Sequence, residues 1–116
     1  LEDEVILAMD LADQLEAAGF EVVGPATSAA AALRLIQATP CDAAVLDINL
    51  GTETSEAVAE ALRLAGTPFV VLSGNSRAHQ PAVFHAAPWV SKPFLGADLL
   101  AVLSRCLQAP AAAKPL

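Results

Sequence analysis

Asp47 follows four apolar residues, Ala43-Ala44-Val45-Leu46, and Glu2 and Asp3 follow Leu1 at the start of the chain. Lys92 stands between Trp89-Val90-Ser91 and Pro93, and Ser73 closes the run Phe69-Val70-Val71-Leu72. If such runs are strands of a parallel sheet, their C-terminal ends line up along one edge, where these sheets bind ligands. Carboxylates gathered there repel one another until a cation enters. The set suits Mg²⁺-dependent phosphoryl chemistry with Asp47 as the acceptor, because a carboxylate can attack phosphorus once the charge on the transferring oxygens is neutralised. Mg²⁺ binds oxygen and keeps some of its waters, so few protein carboxylates suffice. Asp3 and Asp47 are the expected direct ligands, with Glu2 acting through water. The compact ammonium of Lys92 suits a phosphate contact. Pro93 would fix the direction of Lys92 if their peptide bond were cis, although most X-Pro bonds are trans. The Ser73 hydroxyl either reaches a phosphoryl oxygen or starts the following turn. Asp42, at the opposite end of the Asp47 run, needs no special role.

These positions need elements that hold them. Leu7, Leu11 and Leu15 recur every four residues and predict a helix over Val5–Ala18, with Met9 packed on it and Gly19 ending it. Glu21–Ala26 reads as a short strand around Val22-Val23. Thr27 or Ser28 caps a second helix that runs to about Ala38. Ala43–Asp47 is a strand whose unbroken apolar character fits a sheet covered on both faces. Asn49–Thr54 reads as a polar loop, and Thr54 or Ser55 caps a helix burying Val58, Ala61, Leu62 and Ala65. Phe69–Ser73 is a strand, the stretch after it is irregular with a short helix near Ala82–Ala86, and Trp89–Ser91 is the last strand. Leu99, Val102, Leu103 and Cys106 mark the buried stripe of a helix over Leu95–Gln108. The alternation predicts an α/β parallel sheet with right-handed crossovers. It also predicts several apolar residues before Leu1, since a strand is expected to end at the acidic pair.

The 116 residues suffice for one domain, expected over residues 1–108, followed by a flexible Pro/Ala tail at 109–116. The formal charge of −7 argues against a nucleic-acid-binding surface. Charges interrupt every apolar run, which argues against a membrane span. Cys41 and Cys106 lie far apart without metal-ligand spacing and read as reduced thiols of a cytoplasmic protein.

In this order, Leu1-Glu2-Asp3-Glu4, Leu46-Asp47-Ile48-Asn49-Leu50, Leu72-Ser73-Gly74 and Ser91-Lys92-Pro93-Phe94 resemble the receiver domain of bacterial response regulators, the CheY-like superfamily. The likeness runs from Leu1 to about Leu107. It implies a flavodoxin-like doubly wound parallel sheet in the strand order 2-1-3-4-5, with the first strand truncated before Leu1. It implies that Asp47 accepts a phosphoryl group from a sensor histidine kinase or a histidine phosphotransfer protein. Glu2, Asp3 and Asp47 would hold Mg²⁺ with the backbone carbonyl of Asn49, and Ser73 and Lys92 would contact the phosphate. Ser73 and Trp89 would form the switch, with Trp89 where the family usually carries Tyr or Phe. The protein would then be a phosphorelay switch rather than an enzyme, with room for a homodimer. One alternative is a pseudo-receiver, an interaction module without phosphorylation. Another is a phosphatase of the haloacid-dehalogenase type, which is disfavoured because Asn49 stands where such enzymes carry an acid/base Asp.

Overall fold

The computed structural model describes residues 1–51, 53–73, 81–85, 87–92 and 96–108. Pro93, its peptide bond with Lys92, and the expected tail at 109–116 lie outside the described residues. Helices α1 (Val5–Ala17), α2 (Ala29–Ala38), α3 (Glu56–Ala65) and α4 (Gly96–Gln108) alternate with strands β1 (Ala44–Asp47), β4 (Phe69–Ser73) and β5 (Trp89–Ser91). Two further strands, β2 (Asn49–Leu50) and β3 (Glu53–Thr54), form a hairpin directly after β1. A 3-10 turn at Ala82–Phe84 stands where a short irregular helix was expected.

β1, β4 and β5 form a parallel sheet in the order β1-β4-β5. The register pairs Asp47 with Leu72 and Ser73 with Ser91, so the strand ends carrying Asp47, Ser73 and Lys92 lie along one edge. All five residues of β4 are buried, as an unbroken apolar run covered on both faces requires. Alternate side chains serve opposite faces. Phe69 and Val71 pack with Leu46, Ala32, Val58 and Leu62 from the α2 and α3 side. Val70 and Leu72 pack with Leu11, Leu99 and Leu103 from the α1 and α4 side.

Local signals explain two helix ends, whereas Ser55 at the start of α3 makes no side-chain cap bond. The Ser28 hydroxyl accepts the Ala31 N–H at 3.2 Å and caps α2. Gly66, at φ 74°, ends α3 in the left-handed conformation. In α3 the buried residues are Val58, Ala59 and Leu62, while Ala65, in the last turn before Gly66, is exposed. Met9 is exposed rather than packed, together with Val5 and Ile6.

Two expected elements also need correction. Asn49–Thr54 is not a plain loop but a hairpin, pairing Asn49 with Thr54 and Leu50 with Glu53. Glu21–Ala26 is not a strand, although its composition favours one. A strand exists only through its ladder, and the neighbour this segment needs is present only as Leu1 and Glu2. The Glu2 N–H donates to the Ala26 carbonyl at 3.0 Å. On the other side, the Leu1 nitrogen donates to the Val45 carbonyl at 2.6 Å, and the Asp47 N–H donates to the Leu1 carbonyl at 3.0 Å. Leu1 and Glu2 thus lie between Ala26 and β1, the position the order 2-1-3-4-5 assigns to the end of a first strand. Behind them is a cavity of about 390 Å³, lined among others by Leu15, Val22, Ala26, Leu35, Val45 and Leu103.

Candidate functional site

Each acid of the site is held by a short stretch of backbone. Asp47 ends β1, with its N–H bonded to Leu1. Glu2 is anchored through Ala26, and its carboxylate accepts the Glu4 N–H at 3.3 Å, which turns the chain into α1. Asp3 lies between them in sequence and is half-buried. Carboxylate oxygens of Glu2, Asp3 and Asp47 lie within 4.8 Å of one another. Glu2 and Asp47 are buried, at 2% and 6% exposure, so their charges are poorly screened by water.

Lys92 answers that charge. Its N–H donates to the Ser73 carbonyl at 3.0 Å, which fixes the backbone at the end of β5. Its ammonium donates to Asp47 at 2.6 Å and to Glu2 at 3.1 Å. Burial lowers the basicity of this lysine, but its bonds to Asp47 and then Glu2 outweigh burial and hold its pKa above the ordinary value. Glu2 shows what remains uncompensated. Burial first, and the adjacent Asp47 second, push its carboxyl up to about 7, against the opposing pull of Lys92.

Of the other expected residues, Ser73 is buried at the end of β4, beside Ser91 in the ladder. Trp89 is half-buried at the start of β5, packed on the cluster that contains Leu46, Ile48 and Phe84. Asn49 sits in the hairpin, two residues after Asp47. The structure thus brings Glu2, Asp3, Asp47 and Lys92 together and sets Ser73 at the adjacent strand end.

Sequence reasoning passed over two hairpin residues. Gly51, at φ 73°, turns the hairpin so that a Cβ there would lie 3.6 Å from an Asp3 carboxylate oxygen. Glu53 accepts the Ala29 N–H at 3.2 Å, linking the hairpin to the start of α2. A glycine four residues after Asp47 was a readable signal for the first. Nothing in the sequence marked the second.

An acidic cluster with one lysine at the C-terminal edge of a parallel sheet defines a class of phosphoryl-handling α/β domains, and comparison identifies the family. The response regulator receiver domain profile matches residues 1–104, and the chain belongs to that family. No curated protein matches this chain in sequence. The solution structure of SdrG from Sphingomonas melonis Fr1 is 37% identical, with a TM-score of 0.76 and 91% of each chain covered. The chemotaxis protein CheY4 of Vibrio cholerae is 26% identical, with a TM-score of 0.81 over 91% of this chain and 93% of that one. The response regulator PhyR of Brucella abortus is 29% identical with a TM-score of 0.78, and the match covers 97% of this chain but 47% of PhyR. As a receiver domain of the CheY/PhyR type, the chain is a signalling module and not an enzyme, which sets the phosphatase alternative aside. Among the described residues, no helix is long and apolar enough to cross a membrane.

Proposed function

We propose that this domain is a phosphorelay switch that takes a phosphoryl group on Asp47 from a phosphohistidine of a sensor kinase or phosphotransfer protein. The observation that carries the reading is the packing of Glu2, Asp3 and Asp47 around a single point, with Lys92 bonded to two of them. An Asp47 oxygen attacks phosphorus, the O–P bond forms as the P–N bond breaks, and the imidazole nitrogen leaves with the electron pair. The donor set fits Mg²⁺: three carboxylates, two of them buried, and a Glu2 carboxyl driven up by burial and then by the adjacent Asp47. Glu2, Asp3, Asp47 and the Asn49 carbonyl would hold the ion, which supplies charge neutralisation for the transferring phosphoryl oxygens. Lys92 follows the new negative charge on Asp47 and releases Glu2 as it does so. Ser73 turns its hydroxyl toward the phosphoryl oxygens, and Trp89, three residues before Lys92, adjusts with it. The two half-buried free thiols, Cys41 and Cys106, suit the reducing cytoplasm.

Incubation with a small phosphodonor and Mg²⁺ should label the wild-type chain, and Asp47→Asn should reduce labelling to background. Equal labelling of the variant would sink the reading. The pseudo-receiver reading rests on a different observation: Lys92 already neutralises much of the pocket, so the domain could fold and bind partners without metal or phosphate. An unlabelled wild type that shows no response to Mg²⁺ would favour it.

A further inference from the structure

The Asn49–Thr54 hairpin touches three parts of the molecule. Its base continues directly from Asp47 through Ile48, which is fully buried and whose carbonyl accepts the Ser55 N–H at 2.9 Å. Leu50 is buried and roots one arm. The turn at Gly51 lies against the Asp3 carboxylate. The other arm reaches α2 through Glu53, whose carboxylate oxygen accepts the Ala29 N–H at 3.2 Å. This N–H belongs to the first residue of α2 and has no partner within the helix, so it is free to take an outside acceptor.

We propose that Glu53 is a positioning residue for the metal-binding acids: its bond to Ala29 pins the hairpin to α2 and so fixes the Asn49 backbone and the Gly51 turn against Asp47 and Asp3. The inference rests on the reading of these acids as the Mg²⁺ site. Glu53 itself is exposed and belongs to no buried cluster, so its removal leaves the core intact. The hairpin is only two residues per strand, which makes it marginal without anchors. Leu50 anchors the first arm, Glu53 ties the second to α2, and the Thr54 hydroxyl at its end accepts the Glu56 N–H at 3.4 Å.

Mg²⁺ titration of the full chain, followed by amide chemical shifts, tests this and reports the fold in the same spectra. Glu53→Ala should weaken Mg²⁺ about three- to tenfold, the size of one lost hydrogen bond, with the spectrum otherwise preserved. Glu53→Gln keeps an acceptor oxygen while losing the charge, and it should bind within about twofold of wild type. Ala29→Pro removes the donor from the other side. Proline is well tolerated at the first helical position, and Ser28 before it is already extended, so α2 should survive. This variant should reproduce Glu53→Ala. If Glu53→Gln falls as far as Glu53→Ala, charge and not the anchor is responsible, and the proposal is overturned. Wild-type affinity in Glu53→Ala or Ala29→Pro overturns it as well. A wild-type chain with no saturable Mg²⁺ response takes down the metal site itself, and this inference with it.

Discussion

The two edges of β1 differ sharply. Toward β4, four register pairs run from Ala44–Phe69 to Asp47–Leu72, every β4 residue is buried, and helices cover both faces. Toward Ala26, two residues, Leu1 and Glu2, span the gap, and a cavity of about 390 Å³ follows behind them. The clustered acids straddle this divide, since Asp47 belongs to the densely paired side and Glu2 and Asp3 to the sparsely paired one. A strand therefore needs more than composition. Val22-Val23 has strand-forming residues, but without a neighbour to ladder with, the segment lies as irregular chain over the cavity.

The comparison can be broken first by truncation. Leu72→Ala removes a fully buried side chain packed between α1, α4 and β5, and should cost about 3 kcal/mol. Val22→Ala faces the cavity from a half-buried position and should cost less than about 1 kcal/mol, because little packing surrounds it. Urea midpoints measure both. Similar losses would mean that the two edges are packed alike.

The converse change fills the cavity. Four apolar, β-branched residues placed ahead of Leu1 would enter the cavity and ladder with Glu21–Ala26 on one side and β1 on the other. Burial at about 1.5–3 kcal/mol per side chain, set against about 1–2 kcal/mol of backbone ordering per residue, leaves a net gain of about 3 kcal/mol. The melting midpoint should rise by roughly 10 °C, and Glu21–Ala26 should gain amide protection against exchange. A matched extension of Lys and Asp should do neither. If both extensions act alike, the cavity is not a strand site.

The same divide explains what could be read from the sequence. The densely paired side was legible because its strands are unbroken apolar runs and its helices carry caps and stripes, as in Phe69–Ser73, Ser28 and Leu99-Leu103. The meeting of Glu2, Asp3, Asp47 and Lys92 followed from their positions at element ends. What failed depended on partners. Glu21–Ala26 reads as a strand by composition, but it ladders with nothing beyond the bond from the Glu2 N–H to Ala26 among the described residues. The Asn49–Thr54 hairpin is too short to show an alternating pattern, and Glu53 looks like any surface acid until α2 is placed beside it. Met9 stands two residues from both Leu7 and Leu11, off their stripe, and is exposed while its neighbour Ala8 is buried.

Glu2, on the sparsely paired side, leaves a titrating signature. Burial first, and the adjacent Asp47 second, raise its pKa from 4.5 to about 7 on folding, so the folded chain binds the extra proton, and stability falls as pH rises through that window in metal-free protein. Urea midpoints across roughly pH 4 to 9 test this directly. Glu2→Gln should abolish the fall. A fall that survives Glu2→Gln would show that the Glu2 carboxyl is solvated and that this edge of β1 is not closed as the structure describes.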